Sequence, residues 1–329
     1  MKVLVITSEW PSSEFPYAVP FLTDHIKQLR AAGVEVEVFH FRGRQNPINY
    51  IRAWFNLRQH PFWKKADLLH AHWGQSALLS IFSHKKLVIT FHGSDLFGIP
   101  DKNGNYTLKG EILTRASQWM SKKADANVVV SARLMAKIPT SLKNVSVIPI
   151  GIDLEKFHQM DSRACKAQLN FDENEKHALF VGDSTRNEKR YWLAKEAVET
   201  YNANHKDSAL SLINLVGVEH DQMPVYLNAA DVLLLTSSHE GSSTVIKEAL
   251  ACGLPVVSSD VGDAAERLGC VVGCSVCYSG SPDEYADAIS VALKHGKPVK
   301  LTEESIKQID ESNNIKELIS IYQRVLNER

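Results

Sequence analysis

Apolar residues follow two periods along this chain, and the two alternate. Short Val-, Ile- and Leu-rich runs predict strands at residues 3–6, 35–41, 68–69, 87–91, 127–130 and 145–150. Between them lie stretches with apolar positions three or four apart, which predict helices at 21–32, 48–58 and 113–123. Phe21, Ile26 and Leu29 share a face of the first helix, and Gly33 stops it. The pattern restarts after residue 151. Strands are expected at 177–181, 210–216, 231–236 and 255–258, and helices at 191–205, 221–229, 244–252 and 282–295. Strand–helix alternation of this kind means a parallel sheet covered on both faces. The chain therefore reads as two doubly wound α/β domains, residues 1–150 and 151–314. A last helix at 315–327 follows a polar stretch (302–314) and can pack on either domain. Ligands of such sheets bind beyond the C-terminal strand ends, so two facing domains are expected to share a cleft.

Composition sharpens this picture in one respect. The 329 residues suit two domains, and 44% hydrophobic with 23% charged residues excludes disordered, collagenous and small disulfide-rich classes. The net charge of −1 conceals a split. Residues 1–150 carry 19 Lys and Arg against 10 Asp and Glu, and the remainder carries 18 against 28. The halves stand at +9 and −10, which suggests different partners, the basic half favouring phosphates, anionic membranes or nucleic acid. The apolar start is too short for a signal peptide, and no run approaches the roughly 18 apolar residues of a spanning helix. With five cysteines, a reduced cytoplasmic protein is the simplest expectation. Cys270, Cys274 and Cys277 have the spacing of an iron–sulfur triad, but they sit late, in an apolar run that reads as strand, so free, largely buried thiols are expected.

The strongest chemical signal is Glu240-Gly241-Ser242-Ser243-Thr244-Val245-Ile246-Lys247-Glu248, followed by Ala-Cys-Gly-Leu-Pro. Glu240 ends a strand and Glu248 lies inside the next helix. Gly241 lets a ligand approach the backbone. The N–H groups of Ser242, Ser243 and Thr244 stand at a helix N-terminus, suited to an anion or to a ring of hydroxyls. A carboxylate that accepts from two vicinal hydroxyls is a natural clamp for a sugar or a ribose. Taken alone, the spacing also fits an acidic first helical turn beside an unrelated surface glutamate.

Together with other segments this region resembles the family 4 retaining glycosyltransferases of GT-B fold. Asp67-Leu68-Leu69-His70-Ala71-His72-Trp73-Gly74 is similar to the family's third-strand signature, and Thr90-Phe91-His92-Gly93-Ser94-Asp95 to its fourth. Val147-Ile148-Pro149-Ile150-Gly151-Ile152-Asp153-Leu154-Glu155-Lys156-Phe157 resembles its interdomain linker, and Val257-Ser258-Ser259-Asp260-Val261-Gly262-Asp263 with Glu266 the strand after the two-glutamate helix. The resemblance implies that Glu240 contacts donor-sugar hydroxyls, that Gly241, Ser242 and Ser243 present N–H groups near sugar and diphosphate, and that Glu248 accepts from the ribose. It places His92 across the cleft, near the reacting carbon, with domain closure assembling it against Glu240. It implies transfer with retention, without metal or other cofactor.

The diphosphate loop departs from the family pattern. Asp183 occupies the usual arginine position and Arg190 the usual glycine, while Lys189 matches the lysine. A diphosphate leaving group gains about one negative charge as the glycosidic bond breaks, so cations placed there favour the transition state. Lys189 is the firm candidate and Arg186 a replacement for the missing arginine. Arg190 is either a third cation or a solvated helix residue. His70 and His72 face one side of a strand, but neither carboxylate nor cysteine accompanies them, so no metal site is expected.

Two further segments suggest an acceptor. The loop at residues 11–20 has three prolines and no glycine, and presents Phe15 and Tyr17. From Val38 to Ala66 there is no acid, while Arg42, Arg44, Arg52, Arg58, Lys64 and Lys65 alternate with Tyr50, Trp54, Phe55, Phe62 and Trp63. This composition suits an anionic membrane surface or a lipid-linked pyrophosphate acceptor, and equally a helix that packs its aromatics and solvates its cations. Nucleic acid is disfavoured, because no recognition motif accompanies the patch. The expectation is a cytoplasmic enzyme, peripheral to the inner membrane face, that moves a sugar from a nucleotide-diphospho-sugar, UDP-linked, to a glycan or lipid-linked acceptor in surface polysaccharide synthesis. The alternatives are a non-catalytic nucleotide-sugar-binding subunit and a nucleotide-sugar epimerase.

Overall fold

The computed structural model describes residues 1–13, 16, 18–43, 46–98, 107–206 and 208–328. The first unit contains strands β1 (Lys2–Thr7), β2 (Glu35–His40), β3 (Leu68–His72), β4 (Lys86–Phe91), β5 (Ala126–Val129) and β6 (Val145–Val147). Its helices are α1 (Pro20–Ala31), α2 (Pro47–Gln59), α3 (Ser94–Phe97), α4 (Leu108–Ser121) and α5 (Ala132–Met135). All six strands are parallel, in the order β2-β1-β3-β4-β5-β6.

Alternation along the strands decides what covers each face. In β1, Leu4 and Ile6 join Leu57 of α2 and Met120 of α4 in one core. Val3 and Val5 join Leu22, Ile26 and Leu29 of α1 in the other. The three α1 residues show the i, i+4, i+7 stripe that the sequence displays.

The second unit contains α6 (Ser162–Gln168), β7 (Lys176–Val181), α7 (Tyr191–Asn204), β8 (Leu210–Leu215), α8 (Met223–Ala229), β9 (Val232–Leu235), α9 (Thr244–Ala251), β10 (Val256–Ser259), α10 (Ala264–Leu268), β11 (Ser275–Cys277), α11 (Pro282–His295) and α12 (Glu303–Ile309). Its parallel sheet runs β11-β10-β9-β7-β8. One face packs on α8 and α9 and the other on α7 and α11.

The chain divides at Ile150/Gly151 and again at Asp310/Glu311, so the final helix α13 (Glu311–Asn327) returns to the first unit. Ile315, Leu318, Ile321, Tyr322 and Val325 of α13 lie in the core that holds Val3 and Val5. The polar stretch 302–314 differs from expectation. It contains α12, capped by the Thr302 hydroxyl on Ser305 N, and then the first turn of α13. Residues 311–329 carry three acids and three bases, so the first unit keeps its +9.

Candidate active site

In the second unit, β7, β9 and β10 are adjacent and parallel, so the loops after them leave one edge of the sheet together. Gly182 follows β7 with φ 145°, a region that favours glycine. The Lys189 stem lies 3.7 Å from where a Gly182 Cβ would stand. Lys189 ends a short turn, Asn187–Lys189, and its Nζ reaches Glu240 Oε1 at 2.7 Å, both side chains being about one-fifth exposed. The expected phosphate cation and the expected sugar carboxylate thus meet.

The other cations differ. Arg186 Nε donates to Glu188 Oε1 at 2.6 Å, and its side chain is 58% exposed. Asp183 accepts from Thr185 N and Oγ1 and closes the turn in which the family carries arginine. Arg190 is not a solvated helix residue. Its guanidinium donates to Thr236 O, Ser237 O and Ser259 Oγ, tying the β7 loop to the ends of β9 and β10. Its φ of 50° shows why glycine suits that position.

The Glu240–Ser243 turn rests on the next loop: a Cβ on Gly262, which has φ 54°, would stand 2.8 Å from Gly241 O. Ser243 is the N-cap residue of α9, and its side chain bonds no backbone N–H there. The Ser242 hydroxyl donates to Asp263 Oδ2 at 3.0 Å and accepts from the fully buried Lys247 Nζ. Lys247 Nζ lies 3.4 Å and Arg267 Nε 3.1 Å from the same Asp263 oxygen. Burial pushes the Asp263 carboxyl up, but Lys247 and Arg267 outweigh it and hold it below its usual range. Removing one partner of a buried ionic cluster leaves the other uncompensated. Lys247→Met is expected to lower the stability of the second unit by roughly 3 kcal/mol in urea unfolding followed at Trp192. A loss under about 1 kcal/mol would show that Arg267 alone suffices.

Glu248 does not join the Glu240 group. It is 4% exposed, and its Oε1 accepts from His220 Nε2 at 3.0 Å. His220 Nδ1 accepts from Lys156 Nζ at 3.0 Å, and Lys156 also pairs with Asp221 at 2.7 Å. Lys156, His220, Asp263 and Arg267 escaped sequence reasoning. Of these, Lys156 lies in the linker motif and Asp263 in the segment after the two-glutamate helix.

In the first unit, His92 directly follows β4. Its Nε2 lies 2.9 Å from His72 Nδ1, and its ring sits 4.6 Å from Trp73 and 5.3 Å from Phe21, centroid to centroid. Burial, helped by nearby His25, lowers the His92 imidazole to about 3, so it is neutral at neutral pH. Asp95 orders this strand end by accepting from the N–H groups of Gly74, His92 and Gly93 at 2.9–3.2 Å. Burial nevertheless pushes its carboxyl up to about 6. His70 bonds Thr90 Oγ1 at 2.8 Å and Tyr322 Oη at 2.6 Å.

The basic segment splits. Arg58 turns inward, donating to Trp54 O, Leu79 O and Ile81 O, with its guanidinium 3.5 Å from the Trp54 ring centroid. Phe62 is buried in the core. Arg52, Lys64 and Lys65 stay exposed, and α2 also exposes Ile48, Ile51 and Phe55, each by more than half. An open cavity of about 420 Å³ beside α2 is lined by His40, Arg42, Arg52 and Asn56, among others. Tyr17, Phe15 and Arg44 lie outside the described residues.

Cys277 is buried, Cys274 half-buried and Cys270 exposed, and burial pushes the Cys274 and Cys277 thiols up to about 11 and about 12. Cys274 Sγ accepts from Val256 N. Among the described residues no group of three or more His, Cys, Asp or Glu is arranged to hold a metal ion, and no helix is long and apolar enough to cross a membrane.

Comparison with known proteins agrees with this geometry. The family model of Glycosyltransferase Family 4 matches residues 1–156, and that of Glycosyl transferases group 1 matches residues 155–295. TuaC of Bacillus subtilis (strain 168), named as a teichuronic acid biosynthesis glycosyltransferase, is 27% identical over 332 residues, covering 82% of this chain and 83% of its own. Among solved structures, sucrose-phosphate synthase from Thermosynechococcus elongatus superposes with a TM-score of 0.69 at 15% identity, covering 99% of this chain and 96% of its own. Anabaena HepE in complex with UDP and glucose gives 0.65 at 15% identity, covering 98% and 97%. The fold is GT-B, and the chain belongs to glycosyltransferase family 4.

Proposed function

We propose that this enzyme transfers a sugar, with retention, from a UDP-linked donor held by the second unit to an anionic glycan or lipid-linked acceptor held by the first, in bacterial-type surface polysaccharide synthesis. The observation that carries this reading is the Lys189–Glu240 contact. It sets a cation that suits a diphosphate beside a carboxylate that suits sugar hydroxyls, at the strand ends where such sheets bind ligands. Bound donor takes each partner from the other: the diphosphate takes Lys189, and the hydroxyls take Glu240. Lys189 then opposes the charge that develops on the leaving phosphate, so no metal is needed for that step. Gly241, Ser242 and Ser243 supply N–H groups, with the turn held by Lys247 and Asp263. Arg186 serves the diphosphate by swinging away from Glu188, and Glu248 serves the ribose by exchanging its bond from His220. His92 serves the reacting carbon as a neutral group.

HepE, which binds UDP and glucose, supports the donor class, and the name of TuaC supports the polymer class. Thermal shift against UDP-, GDP-, ADP- and TDP-glucose, followed by slow donor hydrolysis, tests the reading. The UDP-sugar is expected to stabilise most and to be hydrolysed. Asp183, standing where the family has arginine, favours the alternative of a binder without catalysis. Tight nucleotide binding with no turnover of any donor would establish that alternative.

For the first unit we propose contact with an anionic membrane surface through α2. Ile48, Ile51 and Phe55 provide the apolar contact, and Arg52, Lys64 and Lys65 the charge. Each basic residue near such a surface contributes about 1 kcal/mol. Changing Arg52, Lys64 and Lys65 to Glu is expected to weaken cosedimentation with phosphatidylserine vesicles by at least about tenfold. Binding that ignores both these changes and salt excludes this surface.

A further inference from the structure

Behind His92 the first unit holds polar groups that the reaction so far leaves unused. Glu311 Oε1, at the start of α13, lies 2.5 Å from His25 Nδ1 of α1, and the two side chains are 4% and 16% exposed. The His25 ring stands edge-on to His72, with centroids 5.6 Å apart. Nε2 of His25 and Nε2 of His72 are both buried without a hydrogen-bond partner, and so is Nδ1 of His92. A cavity of about 30 Å³ is lined by His25, His72, Thr90, His92 and Glu311, among others. That is room for one water, and a buried water needs two to four polar partners.

The neighbouring contacts orient the donors. Tyr322 Oη lies 2.6 Å from His70 Nδ1 and Thr90 Oγ1 2.8 Å from His70 Nε2. With the buried Tyr322 O–H as donor, the His70 proton sits on Nε2 and is given to Thr90 Oγ1. The Thr90 hydroxyl then has its own hydrogen to give.

We propose that one water in this cavity bridges His25 and His72, and that Glu311, His25, the water and His72 form a hydrogen-bond chain fixing the tautomer of His92. This rests on the role for His92 proposed above. His25 Nδ1–H donates to Glu311. The water accepts from Thr90 and donates one hydrogen to His25 Nε2 and the other to His72 Nε2. His72 therefore carries its proton on Nδ1 and gives it to His92 Nε2. The His92 proton is left on Nδ1, the nitrogen with no protein partner, as a donor to a substrate oxygen. A neutral imidazole offers a donor or an acceptor at a given nitrogen according to its tautomer alone. His25, His72 and Glu311 are positioning residues. No neighbour fixes this by sequence proximity, because Glu311 and His25 are 286 positions apart.

Long-range proton–nitrogen NMR on the full chain labelled with 15N-histidine tests the chain of bonds at pH 7.5. His92, assigned through His92→Gln, is expected to be protonated on Nδ1 only, and so is His72. In Glu311→Gln and in His25→Phe, His92 is expected to show both tautomers. Donor turnover should fall about tenfold in kcat with KM for the donor unchanged, as when an outer partner that orients a ligating histidine is lost. A wild-type His92 protonated on Nε2 overturns the proposal whatever the variants do. So does a His92 signal that both variants leave unchanged. Full donor turnover in His92→Gln would instead remove the role given to His92 and leave the tautomer chain standing.

Discussion

Lys189→Ala is expected to slow donor turnover by about 10²–10³-fold, the usual loss when a preorganised group facing developing charge is removed. The protein should remain folded. The Lys189–Glu240 pair is partly exposed, and pairs of that kind contribute at most about 1 kcal/mol. The stem lies over Gly182 and fills no core. The loss therefore belongs to the transition state and should appear mainly in kcat. Glu240→Ala is expected to be comparably slow. The double variant should be little worse than either single one, because both act on one bound sugar diphosphate. Steady-state hydrolysis of UDP-glucose, with unfolding midpoints measured alongside, checks this. Turnover within threefold of wild type in Lys189→Ala would mean that another cation serves the leaving group, and Arg186, exposed and able to leave Glu188, would be that cation.

Residues legible in the sequence were those whose role is set by local period or by a contiguous motif. The alternation of Val3, Leu4, Val5 and Ile6 already assigned two to each face of a sheet, and each pair packs in a separate core. Glu240 stands out by its contiguous motif after a strand, and Lys189 by its match to the family's lysine. What escaped were contacts closed by topology. Arg58 reads as one more cation in an acid-free stretch, yet three carbonyls and the Trp54 ring hold it, two of those carbonyls more than twenty positions away. Lys247 reads as a polar residue beside a catalytic-looking glutamate, and only the packing of the 260–263 loop against the 240–243 turn buries it on Asp263. Glu248 is expected to face a ribose, and the contact the sequence does not show is with His220, from beyond an intervening strand and helix. Helices α3, α5, α6, α10 and α12, which no periodic stretch marks, are seven residues or fewer, a length at which a helical period is weak.

The first unit is expected to lose stability steeply as pH falls below about 6.5, by on the order of 3 kcal/mol per pH unit near pH 5. Burial first, and repulsion from His25 and neighbouring imidazoles second, hold His70 and His72 well below their usual range, and burial with His25 holds His92 at about 3. Above pH 6.5 these rings are neutral in both the folded and the unfolded chain, so their contribution is complete. Below it the unfolded chain takes up three protons that the folded unit refuses, and each bound only on unfolding removes about 1.4 kcal/mol per pH unit. Asp95 works in the opposite direction. Its folded value of about 6 exceeds the ordinary carboxyl value, so between about pH 6 and 4 the folded unit holds one proton that the unfolded chain lacks. The net excess at pH 5 is two protons, which gives the slope stated. Five of the six tryptophans lie in this unit, so fluorescence-monitored urea unfolding at pH 7, 6 and 5 reports it directly. His72→Met should remove about 1.4 kcal/mol per pH unit from the slope, since one fewer proton then distinguishes the states. A stability that is flat between pH 6.5 and 5 would mean that the three rings take up protons without unfolding, which their burial beside His25 opposes.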